Sequence, residues 1–135
     1  MRSFVRDTGG GQPVAVTAEG EHARCISPEG LTFLVLKNGQ YFLRRVDGGD
    51  TRPVDTPAPV RWSADGRAFY ARNSGEPQIY RVDALTGYKA PWRTLTPPEP
   101  GALLRGQVVI SADGQAWACS YQRDVSSLYL VKGVR

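Results

Sequence analysis

The sequence predicts an all-β protein assembled from repeated four-stranded antiparallel units. Three observations lead there. Short segments alternate apolar and polar side chains, the period of a half-buried strand. Turn residues bound each of them: the chain holds 15 Gly and 10 Pro in 135 residues, enough to reverse it many times. One turn pattern, Ser-x-Asp/Glu-Gly, occurs at Ser27-Pro28-Glu29-Gly30, Ser63-Ala64-Asp65-Gly66 and Ser111-Ala112-Asp113-Gly114. No stretch shows the capped 3.6-residue apolar periodicity of a surface helix.

Each element follows from its own residues. Met1–Asp7 reads as a strand, and Thr8–Gly11 turns it because glycine takes positive φ without a Cβ clash. Pro13–Thr17 alternates and is the second strand; Ala18–Glu21 is a polar link. Ala23–Ser27 is a strand, and Leu31–Leu36 is an apolar, β-rich one. Asn38-Gly39 is the strongest short hairpin signal, a type I′ turn, and Tyr41–Val46 follows it. Arg52–Asp55 is a weak outer strand ended by Pro57 and Pro59.

The clearest unit is Arg61–Asp83: Val60–Ser63, Arg67–Arg72 and Gln78–Asp83 are three strands in succession. Lys89–Leu95 contains Pro91, which lacks an N–H and so belongs at a sheet edge. Thr96–Gly101 is a linker, and Gln107–Ile110, Gln115–Tyr121 and Ser127–Val131 repeat the three-strand frame.

The repeat length decides the architecture. The turn serines at 27, 63 and 111 are 36 and 48 residues apart, averaging 42. Four short strands recurring at roughly 40–45 residues mark the blades of a β-propeller. With strands named a to d from the axis outward, strand a ends in the Ser turn. Strand c carries an aromatic and ends near Asp, as in Tyr41…Asp47 and Tyr80…Asp83. The expectation is a partial propeller of about three four-stranded blades. It has a c–d pair at 1–18, blades at 22–57 and 58–97, and an incomplete last blade at 105–132. Propellers close with roughly 4–8 blades, so an arc of three leaves open edges and apolar faces. Two copies would close a ring of about six as a homodimer, Pro13–Thr17 of one supplying strand d to Ser127–Val131 of the other.

Composition bounds the function. At 41% apolar and 22% charged the chain is an ordinary globular domain. Net charge is +4, carried by 14 Arg against 3 Lys scattered along the chain. Nucleic-acid footprints gather on one face, so no nucleic-acid partner is expected. No run approaches the roughly 18 apolar residues of a membrane span, so no membrane insertion is expected. The opening residues MRSFVRDTGGGQP contain no apolar signal core. As written the chain reads as cytoplasmic, or as periplasmic if it is cut from a longer secreted or anchored protein. Cys25 and Cys119 sit in apolar strands outside any CxxC or CxxH spacing and read as buried free thiols.

No catalytic, metal or cofactor site is expected. Glu29, Asp65 and Asp113 fit turns in which an acid bonds nearby backbone N–H groups. His22 is the only histidine, in the link before a strand a, with no metal-ligand spacing around it. There is no Gly-x-Ser-x-Gly elbow, and no Lys-Ser/Thr or helix follows Gly9-Gly10-Gly11. Trp62, Trp117, Ile26 and Ile110 are assigned to packing between blades. The binding candidates are Arg24, Arg61 and Arg105, on or just before strands a, which line a propeller's channel and could grip carboxylate or phosphate. Tyr121 and Arg123 join them in the loop after strand b of the last blade, where rigid scaffolds place recognition residues.

Trp62-Ser63-Ala64-Asp65-Gly66-Arg67 followed by Ile79-Tyr80-Arg81-Val82-Asp83 resembles the WD40-like repeat of TolB-type propellers. Ile26–Gly30 and Ile110–Gly114 are similar to the same turn, so the resemblance covers nearly the whole chain. It implies a non-enzymatic protein- or ligand-binding module. Such repeats occur in translocation-associated periplasmic proteins, in gating domains of peptidases, and as sensors behind bacterial serine/threonine kinase domains. Ser127–Gly133 is similar to closing segments of that last group. A non-catalytic hydrolase gate and a purely structural half-ring are the alternatives.

Overall fold

The computed structural model describes residues 1–133: twelve strands and, among those residues, no helix. β1 (Phe4–Asp7) and β2 (Gly10–Ala15) form a hairpin. β3 (His22–Ile26), β4 (Thr32–Lys37), β5 (Gln40–Arg45) and β6 (Thr51–Val54) form a four-stranded meander. A second contains β7 (Ala58–Trp62), β8 (Ala68–Arg72), β9 (Gln78–Asp83) and β10 (Lys89–Thr94). β11 (Leu103–Ile110) and β12 (Trp117–Gln122) form a closing hairpin. The first strand of each meander is its inner one: β7 touches β3 on one side and β11 on the other. This is part of a propeller, unclosed, with two whole blades flanked by two half-blades.

Local chemistry explains the turns. Asn38 and Gly39 both have positive φ, 50° and 79°, as a type I′ turn requires, and they set β4 against β5. Each a–b turn is built around its serine. The N–H groups of Ser27, Ser63 and Ser111 donate to the carbonyl five residues on, at 2.8 Å in all three. Their hydroxyls accept the N–H of Thr32 (3.1 Å), Ala68 (3.2 Å) and Ala116 (2.9 Å). The c–d turns are equally uniform. Oδ1 of Asp7, Asp47 and Asp83 accepts the N–H two residues on, at 2.8, 2.9 and 2.9 Å.

The core lies between blades. Leu34, Leu43 and Val54 of the first blade pack on Trp62, Phe69, Ala71 and Val82 of the second. Tyr70, Ile79 and Leu95 pack on Leu104, Val108 and Ile110 of the closing hairpin. β8 is buried along its whole length because successive side chains enter opposite clusters, each with a blade over it. Large apolar side chains buried in this way contribute about 1.5–3 kcal/mol each.

Several expectations need correction. Ser127–Val131 is not a strand, and Leu128 is 98% exposed. The alternation is there, but the segment pairs with no strand among the described residues, and Lys132-Gly133 follow where a c–d turn would need Asp. The last unit is therefore two strands, not three. Ile26 and Trp117 are 46% and 39% exposed, whereas Trp62 and Ile110 are buried as expected. Among the described residues Ile26 has no inner strand on the side of the first hairpin, and Trp117 has no strand c of the kind that closes the flank of Phe69 and Phe33. His22 opens β3, opposite Leu36, instead of lying in the link.

Candidate functional site

Arg24 stands on β3 and Arg61 on β7, and the two side chains line one groove of about 620 Å³. Its lip is made by Pro28, Ala64 and Ala112, the same position of three successive Ser turns. Cys25, Ile26, Val60 and Trp62 supply an apolar wall. Trp62 is fixed there by its indole N–H, which donates to the Cys25 carbonyl at 3.1 Å. Burial pushes the Cys25 thiol up to about 12, which leaves it a packing group and not a nucleophile. Arg61 Nη1 donates to the Ile110 carbonyl at 3.0 Å, bracing β7 against β11. Arg24 is exposed and, among the described residues, makes no salt bridge or side-chain hydrogen bond.

The other candidates lie elsewhere. Arg105 stands opposite Ser120, and the β11 bulge falls between it and Val108, far along the strand from the Ser111 turn. It is not among the groove's lining. Tyr121 lies within β12, opposite Leu104, and not in the loop after it; at this same end of the hairpin its hydroxyl donates to the Thr96 carbonyl at 3.1 Å. Its pKa is raised, first by the hydrogen-bonded Cys119 thiol and then by burial. Arg123 Nη1 pairs with Glu99 at 2.7 Å. Tyr121 and Arg123 thus tie the end of β12 and the residue just beyond it to the proline-rich linker. An exposed pair of that kind is worth about 0–1 kcal/mol. The structure brings Arg24 and Arg61 together and leaves Arg105, Tyr121 and Arg123 at the opposite end of the strands.

The turn acids divide in two. Asp65 and Asp113 accept from the Ser63 and Ser111 hydroxyls at 2.6 Å and from the N–H of Arg67 and Gln115 at 3.0 Å. Those hydroxyls, then those N–H groups, hold both carboxyls below their ordinary range. Glu29 departs from the expected turn bond: one methylene longer, it reaches across to Gly66 of the next blade. No group of three or more His, Cys, Asp or Glu is placed to hold a metal among the described residues.

Sequence reasoning missed the strongest electrostatic feature. Glu21 is 3% exposed. It accepts Arg44 Nη1 at 2.6 Å and Nη2 at 3.2 Å, the Ala18 N–H at 3.0 Å, and Lys37 Nζ at 3.2 Å. The Arg44 hydrogen bonds, then the Ala18 N–H, hold its carboxyl down to about 2. Around it, Thr17 Oγ1 accepts the Ser3 N–H and Ser3 Oγ accepts the Ala23 N–H. The network fastens the first hairpin to the first blade. Arg44 sits near the end of β5 beside a second arginine, Arg45, so nothing local in the sequence marks it as the partner of a buried carboxylate.

The chain is similar to two solved TolB structures. TolB from Acinetobacter baumannii aligns with a TM-score of 0.58 at 23% identity, over 91% of this chain and 32% of that one. A putative TolB from Agrobacterium tumefaciens aligns with a TM-score of 0.52 at 19% identity, over 84% of this chain and 47% of that one. The chain therefore spans 32% and 47% of the length of these two structures. No protein-family model matches it, and no curated protein does. At these identities the likeness shows the fold, a TolB-like β-propeller of which this chain forms an unclosed part.

Proposed function

We propose that the chain is a non-enzymatic binding module that takes a carboxylate-bearing peptide at the groove between the inner strands. The observation that carries this reading is Arg24, an exposed guanidinium with no partner among the described residues, beside an apolar wall. A guanidinium fork matches a carboxylate bidentately, and the wall desolvates the rest of the ligand. The groove's lip is formed by Pro28, Ala64 and Ala112, and the neighbouring Asp65 and Asp113 carboxylates are engaged by their own Ser hydroxyls and backbone N–H groups. The net charge of +4 steers acidic partners toward the molecule. The resemblance of Ser127–Gly133 to closing segments of kinase-linked propellers supports a sensor role within a bacterial signalling protein.

Calorimetric titration tests the binding. A short Glu-containing peptide with a free C-terminus should give saturable heat that weakens with salt. Its amidated Gln counterpart should not bind measurably. Arg24→Gln should weaken the acidic peptide at least ~10-fold, equivalent to about 1.4 kcal/mol. Equal binding of the two peptides, or an unaffected Arg24 variant, would overturn the reading.

A further inference from the structure

The two incomplete units are complementary halves of one blade. Their turns say which half each one is. β11 and β12 are joined by the Ser111 turn, bonded as the Ser27 and Ser63 turns that join strands a and b. β1 and β2 are joined at Asp7, bonded as the c–d turns at Asp47 and Asp83. One half supplies a and b, the other c and d.

Their free edges are the pair a blade needs. In both whole blades strand b pairs with strand c, β4 with β5 and β8 with β9. Among the described residues β12 pairs only with β11, and β1 only with β2. The outer strands β6 and β10 are defended as edges by Pro53 and Pro91. β12, Trp-Ala-Cys-Ser-Tyr-Gln, has neither proline nor charge. An undefended edge of that composition is a template for another strand.

The exposed side chains match too. The residue before the turn serine faces the preceding blade. Trp62 and Ile110 are 4% and 1% exposed there, but Ile26 is 46% exposed because no strand a precedes it. The position seven residues after the serine faces the following blade. Leu34 and Tyr70 are 0% and 6% exposed there, whereas Ala118 lies open. Ile26 lacks a strand a, and Ala118 lacks a following blade.

We propose that a second copy of this chain fills both gaps. β1 of one copy pairs with β12 of the other, so that β11-β12-β1-β2 makes one composite blade. Two-fold symmetry makes two such blades, closing a ring of about six with the four whole ones. β11 of one copy then covers Ile26 of the other, and the other's first blade covers Ala118. This replaces the closure expected from sequence. The second copy brings strands c and d already paired, and Ser127–Val131 stays outside the blade. The inference does not depend on the peptide reading of the groove.

Light scattering behind a sizing column, over a range of concentrations, should give twice the 14.8 kDa chain mass. Ala118→Glu and Ile26→Glu place a charge that is solvated in one chain and buried between two. Each should keep the β circular dichroism of the wild type and weaken dimerisation at least ~100-fold, each change acting at both composite blades. Hydrogen exchange adds a readout independent of the variants. Amides of β1 and β12 should gain protection as the wild type is concentrated. A wild type that stays monomeric, a dimer that survives both substitutions, or a dimer whose β12 amides exchange as in the monomer would each overturn the proposal.

Discussion

Glu21→Gln tests how much one buried carboxylate contributes to holding the first hairpin on the first blade. The substitution keeps the size of the side chain and removes its charge. Arg44 is then left without its bidentate partner, and Lys37 without its nearest anion. In the folded chain the carboxyl titrates at about 2 against an ordinary 4.5. The difference, 4.5 − 2 = 2.5 pKa units at 1.36 kcal/mol each, is about 3 kcal/mol of stability at neutral pH. That agrees with the ~3–5 kcal/mol seen when a buried pair loses one partner. The pKa is depressed on folding, so the unfolded chain takes up the proton first. The contribution is therefore whole above about pH 4.5 and drains away as the pH falls toward about 2. Urea unfolding of both proteins at a series of pH values isolates this effect. Exposed acids whose pKa values are also lowered, such as Asp47 and Asp83, act on both curves and cancel in the difference. At pH 7 the variant should be weaker by about 3 kcal/mol, or about 1–2 M in urea midpoint. Near pH 2 the two should nearly coincide. A gap under ~1 kcal/mol at pH 7, or one that does not close in acid, would refute the reasoning.

Two further outcomes follow from the turns and the thiol. Gly66 has φ +69°, and a Cβ there would stand 2.5 Å from Glu29 Oε2, whereas Gly30 at φ +76° has nothing within 4 Å. Gly30→Ala should lose the backbone cost alone, about 1–2 kcal/mol, and Gly66→Ala more in thermal unfolding. Equal losses would show that Glu29 moves aside freely. With the Cys25 thiol pushed up to about 12, its thiolate fraction at pH 8 is on the order of 10⁻⁴. Folded protein should therefore incorporate a thiol reagent quickly at one site, and peptide mapping should place it on Cys119. Rapid labelling of Cys25 would mean that Trp62 does not hold its cover closed.

What was legible in the sequence was local. Each Ser-x-Asp-Gly turn closes on its own residues, so Ser63 and Asp65 announce the turn without help from the rest of the chain. Asn38-Gly39 does the same for its hairpin. What was not legible depended on a distant partner. Glu21 and Arg44 are 23 residues apart, and nothing near Glu21 says that its carboxylate leaves solvent. The sequence puts the three arginines on or just before inner strands, and Arg105 falls inside β11 because that strand begins at Leu103, not at Gln107. Bulges between Ala23 and Ile26, Pro59 and Arg61, and Arg105 and Val108 then shift each register differently. An arginine three, two or six residues before its serine cannot be assigned to one ring from the strand alone.

Ile26 and Trp117 show the same limit from the other direction. A repeat sequence writes similar residues at equivalent positions whether or not a neighbour is present. Phe33, Phe69 and Trp117 each stand six residues after a turn serine, yet their exposures are 2%, 0% and 39%. Composition assigns all three to the core, and only strand counting separates them. In a quasi-one-dimensional fold each unit contacts only its neighbours, and stability is a sum over interfaces. Terminal units of such arrays are ordinarily made polar on the outer face. Here Ile26 and Trp117 remain apolar at opposite ends of the arc, each beside a missing strand. Covered on both sides, as the composite blade proposed above would cover them, these two side chains would be buried as Trp62 and Phe69 are.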